Sequence, residues 1–535
     1  MLGSRAPLSI SLLRIGRCVA RKRYKANKVF MQSQTPILLN RANLPSLPAD
    51  VKRPAYDVEN VQTGIVHIGV GGFHRAHEAM YVDRLMAKTG NLSWGICGVG
   101  LRENDRAMKK VFDEQDNLYT LVEKHNDGSR SASVIGAMTG FLMAPDNPQA
   151  VIDKMSEPEV RIVSLTITEG GYNFDASTGE FITTNPDVLH DIENPKSPKL
   201  VFGYLVAAIK KRRENNVKPF TVMSCDNIQH NGHVLKKMLL AYIELFDQAL
   251  AQWVNENVSF PNSMVDRITP ATTSEDIVML KAQGVEDSWP VVCEPFKQWV
   301  IEDDFCNTKP QFDEVDAQFV SDVAPYEKLK LRMLNAGHSV LGLVGSVAGL
   351  DTIHESVEAA QLKQLLSIFM EKEVMPTLDQ VEGIDVFDYR DTLISRFSNP
   401  FIKDTLARIC LESSAKLPVF LLPTVRDNLV AERDVSISAF VVACWSYYSD
   451  KHASQDGKPL EINDVLSDTL HRAAQQNETD SLSFLKIEEV FGELAQQEKF
   501  ADVYKAFLGR VYQNEPVLSI SEALSEEKLA VAKAS

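Results

Sequence analysis

No stretch of this chain reaches the roughly 18 uncharged apolar residues that a membrane-spanning helix requires, because polar residues interrupt even its most apolar windows. No CxxC or CxxH pair occurs among the seven cysteines, Cys18, Cys97, Cys225, Cys293, Cys306, Cys410 and Cys444, which are scattered over more than four hundred residues. That pattern excludes a disulfide scaffold and a zinc ribbon and predicts reduced, intracellular thiols. Repeats, low-complexity tracts and long heptads are missing as well, which removes solenoid, disordered and coiled-coil readings. Acidic side chains are missing from the amino terminus, where the first is Asp50.

What is present is 535 residues, 44% hydrophobic and 24% charged, enough for two or more packed domains. There are 56 basic and 72 acidic residues, for a net charge of −16, and the first 34 residues hold eight of the basic groups. The remaining body therefore carries −24 and is not expected to bind nucleic acid or an anionic membrane. Residues 8 to 21 place Leu8, Leu12, Ile15 and Val19 on one helical stripe and Arg14, Arg17 and Arg21 opposite. This basic extension, residues 1–34, resembles a mitochondrial presequence, which predicts a matrix location. The alternative is a cytoplasmic chain that begins at Met31. The prolines between residues 35 and 60 suggest an extended lead-in.

Residues 65–68 (IVHI) form a short apolar run that enters Gly69-Val-Gly71-Gly72-Phe73-His74, and Ala79, Met80, Val82, Leu85 and Met86 then take up helical spacing. Strand, glycine turn and helix is the arrangement that brings backbone amides to a pyrophosphate. Ile68, Gly69, Gly71, Gly72 and Phe73 are the candidate dinucleotide contacts, although His74 stands where a third glycine would fall. A second strand over 94–101 is followed by Arg102, Glu103 and Asp105. An acid there would bind a ribose diol and favour NAD over NADP, while Arg102 keeps NADP use open; a solvated helix-capping acid is the alternative. Two further apolar runs, 161–168 and 220–224, read as buried parallel strands that end in Thr168-Glu169 and Asp226-Asn227, where ligands collect in open α/β sheets. Residues 233–257 are predicted to be one long helix, and 263–270 and 291–299 to be strand-like segments.

From about residue 320 the periodicity is helical, and its runs include 326–350, 435–448 and 484–507. Within it, at 100° per residue, Lys330 at 0°, Glu327 at about 60°, His338 at about 80° and Asn335 at about 140° share one side of a helix whose continuation is almost wholly apolar. Buried polar groups need partners or a ligand, so the cluster is either catalytic or a salt-bridged lysine beside a satisfied core histidine.

The segments HIGVGGFHRAH, ICGVGL, SLTITEGGY, TVMSCDNIQHNG, MVDRITP, VVCEPFKQWVIED and KLRMLNAGH, in this order, resemble the polyol-specific long-chain dehydrogenases over residues 40 to 510. The resemblance implies an α/β Rossmann-type domain (35–319), an all-α substrate and catalytic domain (320–520) and a C-terminal tail (521–535). It implies metal-independent interconversion of D-mannitol and D-fructose with NAD in a monomer. It assigns the catalytic lysine to Lys330, the oxyanion-holding asparagines to Asn227 and Asn335, a hydroxyl contact to His338 and a proton-relaying acid to Glu327. Asp266, Arg408 and Lys416 match polyol-binding positions, Asp105 the NAD-selecting acid. The chemistry agrees: a base must reach the hydroxyl at C2 as hydride leaves, and lysine serves if burial lowers its pKa. A hexuronate reductase, using Lys416 and Arg408 for the sugar carboxylate, and a non-catalytic NAD-binding protein are the other readings.

Overall fold

The computed structural model describes residues 35–175 and 178–534; the basic extension lies outside them. Five wholly parallel strands form the central sheet in the order Met138–Met143, Gly95–Gly100, Thr63–Ile68, Ile162–Leu165, Thr221–Ser224. Val66, Ile68, Val99, Val163, Leu165 and Val222 are buried, as expected of strands covered on both faces. The first of these strands in the chain sits at the centre, with the next strand of the sheet on one side and the fourth on the other. The order reverses there, and a ligand crevice opens beyond the carboxyl ends of the strands at such a reversal. The predicted strands at 65–68, 94–101, 161–168 and 220–224 are all present.

Smaller sheets extend this domain. Ser263–Asp266, Gln298–Glu302 and Gln318–Val320 form one. Val291–Cys293, Tyr119–Lys124, Arg130–Ile135 and Val51–Lys52 form another. The expected strand at 291–299 is thus two strands, separated by Glu294–Lys297. The expected extended lead-in is woven into the fold, since Ile37–Leu38 pairs with Val285–Glu286 and Val51–Lys52 with Ala132–Ser133.

From Ala324 onward the described residues are mainly helical, with isolated bridges and a longest non-helical stretch at 452–466. A continuous apolar core runs through these helices and takes in Met264, Ile268 and Val300 from the sheet domain, so the two domains share a packed seam. At its centre are Ala336–Val347, buried at every position, and Ser436–Lys451, whose Phe440, Val441, Val442 and Trp445 are buried.

Three expectations need correction. The helix expected over 233–257 is two, Asn231–Glu244 and Gln248–Asn257. Asp247 breaks it by accepting the Leu250 amide at 3.0 Å as an N-cap. The helix expected over 484–507 is a chain of short turns ending in Glu498–Tyr512. Residues 521–534 are no tail: they continue the helix Val517–Ala534, which buries Ile520 and Leu524 in the core. Its Ser521 and Ser525 turn their hydroxyls back to the carbonyls of Val517 and Ser521, both at 2.7 Å, so two buried polar residues are satisfied locally.

Leu524→Ala is therefore expected to destabilise the helical domain by about 2–5 kcal/mol, as deletion of a core leucine side chain does. Chemical denaturation followed by far-ultraviolet circular dichroism measures this, and a loss below about 0.5 kcal/mol, the range of surface substitutions, would mean the helix is not part of the core.

Candidate active site

A cleft of ≈ 530 Å³ opens at the seam, at the carboxyl ends of the first, fourth and fifth strands of the central sheet. Its sheet-domain wall comprises Gly69, Gly71, Gly72, Phe73, Thr168, Glu169, Asn227 and Asp266; its helical wall comprises Lys330, Asn335, His338, Arg408 and Lys416. Of the sixteen residues proposed from sequence, these thirteen line one cavity. Ile68 lies beneath it as the last residue of the first strand, Glu327 behind Lys330, and Asp105 outside, at the end of Gly95–Gly100.

The glycine turn fits a dinucleotide. Gly69 has φ +95°, and a Cβ there would lie 2.0 Å from the Thr166 carbonyl oxygen. Only glycine is tolerated at such a position. A Cβ on Gly71 would meet nothing nearer than 4.0 Å; that side of the turn is open to the cleft, where a pyrophosphate approaches backbone amides. His74, in the place of a third glycine, is buried and stacked on His67 at 3.6 Å. Burial and the neighbouring His67 pull its pKa well below the usual value.

His67, His74 and Glu78 bring three possible metal donors within 4.8 Å of one another. Their geometry does not suit an ion. The two rings are only 15° from parallel, so their in-plane lone pairs do not converge. His67 is also committed through Nδ1 to Ser164 Oγ at 2.8 Å and through Nε2 to Thr166 Oγ1 at 2.9 Å.

The loops after the fourth and fifth strands are tied together by Asp226, which the sequence places at a strand end without assigning it a role. Its carboxylate accepts the amides of Ile167 at 3.0 Å and Thr168 at 2.9 Å and the Tyr172 hydroxyl at 2.7 Å. These bonds hold Thr168 at φ 59°, ψ 171°, a strained conformation for a residue with a Cβ and one that collects at functional sites. The next residue, Asn227, faces the open cleft.

The helical wall depends on one irregular turn. Helix Ala324–Lys330 passes into helix Ala336–Val347 through a π-helical turn, Leu331–Asn335. One extra residue in a turn sets everything beyond it back by about 100°, which moves Asn335 from about 140° to about 40° and His338 from about 80° to about −20° relative to Lys330. The spacing of five and then three residues thus presents all three side chains to the cleft more nearly in line than a regular helix would.

Lys330 is 7% exposed and donates from Nζ to Asn227 Oδ1 at 2.5 Å. Burial lowers its pKa, against the opposing pull of Asp266 and Glu327. With Oδ1 turned to the lysine, the Asn227 amide group is directed away from it. Asn335 Oδ1 and His338 Nε2 are buried without a hydrogen-bond partner. Burial brings His338 down to about 4, so the ring is neutral at physiological pH. Orphaned buried polar atoms call for an explanation, and a hydroxyl-bearing ligand in the cleft supplies one.

Behind the lysine, a void of ≈ 10 Å³ is lined by Glu327, Lys330, Asn227 and Asp226, about the space of one water. Burial pushes the Glu327 carboxyl up to about 7, and it accepts the His230 amide at 3.1 Å. Asp266 is held by a residue the sequence reading missed: Arg396 donates to both its oxygens at 2.8 Å. Arg408 is engaged by Asp404 through two 2.6 Å bonds. Asp105 accepts the Arg102 amide at 2.9 Å, closing its own turn.

A glycine turn shaped for a dinucleotide, facing a buried lysine with two amides and a neutral histidine, defines an oxidoreductase acting on an alcohol–carbonyl pair. Residues 63–314 match the family model of the mannitol dehydrogenase Rossmann domain and 322–511 that of the mannitol dehydrogenase C-terminal domain. The mannitol 2-dehydrogenase of Neosartorya fischeri is 44% identical over 477 residues, 87% of this chain and 95% of that protein. That of Aspergillus oryzae is 44% identical over 469 residues, 86% of this chain and 93% of that protein. Among solved structures, the Pseudomonas fluorescens mannitol 2-dehydrogenase ternary complex with NAD and D-mannitol superimposes with TM-score 0.84 at 42% identity, covering 92% of this chain and all of that one. A D-sorbitol dehydrogenase in substrate-free form gives 0.84 at 37%, covering 90% of this chain and all of that one. The chain belongs to the mannitol dehydrogenase family.

Gly69→Ala is expected to abolish NADH binding, read as loss of the cofactor's fluorescence enhancement, while the circular dichroism spectrum is kept. Binding within about threefold of wild type would contradict the close approach at Thr166, since a substitution into so tight a glycine position forces backbone movement.

Proposed function

We propose that this protein interconverts D-mannitol and D-fructose at C2, with NAD as cofactor and Lys330 as the general base and acid. The observation that carries the reading is the Lys330 amine, buried at the base of a polar cleft and bonded to Asn227, with Asn335 and His338 presenting unpartnered atoms beside it. The names and ligands of the relatives supply the choice of substrate and cofactor.

Gly69, Gly71, Gly72 and Phe73 would hold the pyrophosphate side of NAD, and Thr168 and Glu169 its nicotinamide side. When bound, NAD accepts or returns hydride at the carbon being oxidised or reduced. Neutral Lys330 takes the hydroxyl proton during oxidation and returns it in reduction. The amide groups of Asn227 and Asn335 donate toward the developing alkoxide, a contribution of roughly 3 kcal/mol for a preorganised donor in a dry site. His338 and Asp266 receive further hydroxyls, and Glu327 passes the proton on through the small void behind the lysine. Asp105, at the end of the second strand of the central sheet, would meet the ribose diol and disfavour a 2′-phosphate.

The cleft is lined by one chain from both domains, which supports a monomer as the working unit. The hexuronate alternative is weakened because, among the described residues, Arg408 is already paired with Asp404 and the Lys416 amine donates to the Ile409 carbonyl at 3.3 Å, with Glu169 and Glu412 acting on its charge.

NADH oxidation with fructose, fructuronate and tagaturonate tests the reading. Fructose is expected to be the preferred substrate, and preference for a hexuronate would overturn it. Because oxidation needs neutral Lys330, kcat/KM for mannitol should rise with pH through an inflection below the ordinary lysine value of about 10.4. Ionised Glu327 holds a proton on the lysine, so Glu327→Gln should move that inflection to lower pH; an upward shift would contradict their coupling. Asp105→Ala should relax the preference for NAD over NADP, and unchanged selectivity would reduce Asp105 to a cap.

A further inference from the structure

The last turn of helix Val386–Phe397 reaches across the seam. Arg396 donates Nη1 to Asp266 Oδ2 and Nη2 to Asp266 Oδ1, both at 2.8 Å. Its other edge is taken by Glu294, at 3.0 Å from Nε and 2.8 Å from Nη2. Glu294 is fixed in turn by the Ile268 amide at 2.6 Å, and the Phe296 ring covers the guanidinium at 3.9 Å. All three charged groups are buried. The guanidinium is therefore held at one edge by Glu294 and on one face by Phe296, and its remaining fork aims at Asp266. The next residue, Phe397, packs on the His338 ring at 4.4 Å. Two consecutive residues of one helix thus stand behind two residues of the cleft, one from each domain.

Stability does not require this arrangement. A buried ion triad is often matched or exceeded by apolar side chains of the same volume, because each charge must be desolvated. What a bidentate guanidinium adds is orientation: it fixes the plane of a carboxylate and keeps it ionised. Burial alone would raise the Asp266 pKa; the charge and hydrogen bonds of Arg396 are the largest opposing influence, and together with Lys330 and His338 they bring it below the ordinary value. The fork occupies one lone pair on each oxygen, and each retains another acceptor site. Asp266 lines the cleft with Lys330 and His338.

We propose that Arg396 is a positioning residue for the substrate: from the helical domain it holds the Asp266 carboxylate of the sheet domain in the plane and charge state that receive a polyol hydroxyl. The inference rests on the polyol reading of the cleft. It predicts that loss of the fork weakens polyol binding and leaves the cofactor site and the chemical step largely intact.

The test is a double-mutant cycle on the full-length chain with whichever of D-mannitol, D-sorbitol or D-arabinitol the wild type oxidises. Arg396→Lys keeps the charge and removes the fork; Asp266→Asn keeps the shape and removes the acceptor charge. Each is expected to raise KM, and the calorimetric Kd for the polyol, by about 10- to 100-fold, the range for a hydrogen bond to a charged group. On the plateau above the Lys330 inflection, kcat should change by less than about threefold and NADH affinity should be unchanged, because uniform binding is what is lost; the inflection itself moves to lower pH in Asp266→Asn, where that carboxylate's pull on Lys330 is removed. The double variant should be no worse than the worse single one, since Arg396 acts through Asp266.

Asn126→Ala removes another bond across the seam, to the Ser395 carbonyl at 3.0 Å, and should leave KM unchanged. Effects that multiply in the double variant, a wild-type KM in Arg396→Lys, or an equal KM increase in Asn126→Ala would each overturn the proposal. If the Arg396 variants do not fold, Phe296→Ala at a half-buried position removes only the stacked ring and should raise KM roughly threefold, as expected for loss of a partly buried cation–π contact; an unchanged KM overturns the proposal there too. A wild type that neither oxidises nor binds any of the polyols would overturn the functional reading and this inference with it. Polyol turnover with Arg396→Lys unaffected overturns this inference alone.

Discussion

An amine that is kept from water and yet opens on a cleft meets two opposed demands: burial disfavours its charged form, while contact with whatever enters the cleft requires an opening. The position of Lys330 resolves this conflict, and much of the structure follows from it. The side chain leaves a helix whose continuation, Ala336–Val347, is buried throughout, and it emerges only at the base of the cleft, where Asn227 meets it. Desolvation favours the neutral amine. The neighbouring carboxylates of Asp266 and Glu327 oppose that shift and hold it within limits, Asp266 being shared with Arg396 and Glu327 itself half-protonated at about pH 7.

The two domains divide this task. The sheet domain supplies the glycine turn, the loops braced by Asp226 and the acceptor Asp266. The helical domain supplies Lys330, Asn335 and His338, and it returns across the seam to hold Asp266 through Arg396. Neither side is complete alone, and the shared apolar core that joins Met264, Ile268 and Val300 to the helices keeps the parts in register without a cross-link. A π-helical turn interrupts an otherwise regular helix at the place where three side chains must point together. Such turns are uncommon and cluster at functional sites.

Much of this was legible in the sequence because it is local. An apolar run into Gly69-Val-Gly71-Gly72 specifies strand, turn and helix whatever lies elsewhere, and the strands read from apolar runs are four of the five in the parallel sheet. Thirteen of the sixteen candidate residues line the cleft: eleven belong to motifs at strand ends and on one helix, and Arg408 and Lys416 come from the helices Leu406–Cys410 and Ser413–Phe420. What escaped depends on distance or on small polar details. Arg396 pairs with residues 102 and 130 positions away, and nothing in its own helix marks it. The π turn is invisible to a count of 100° per residue. Asp247 looks like any surface acid until it caps a helix, and Leu245 and Phe246 continue the apolar pattern across the break. The last helix reads as a tail because it lies beyond the stretch that carries the resemblance, and its buried serines, bonded to their own backbone, do not mark it as core in the sequence.

The proton affinity of Lys330 is the quantity on which the account turns. It can be measured without substrate by nuclear magnetic resonance titration of lysine-labelled protein, with the Lys330 signal assigned by its loss in Lys330→Arg. The account predicts that this resonance titrates well below the solvent-exposed lysines in the same spectrum. A Lys330 midpoint that coincides with theirs, near the ordinary value of about 10.4, would contradict it.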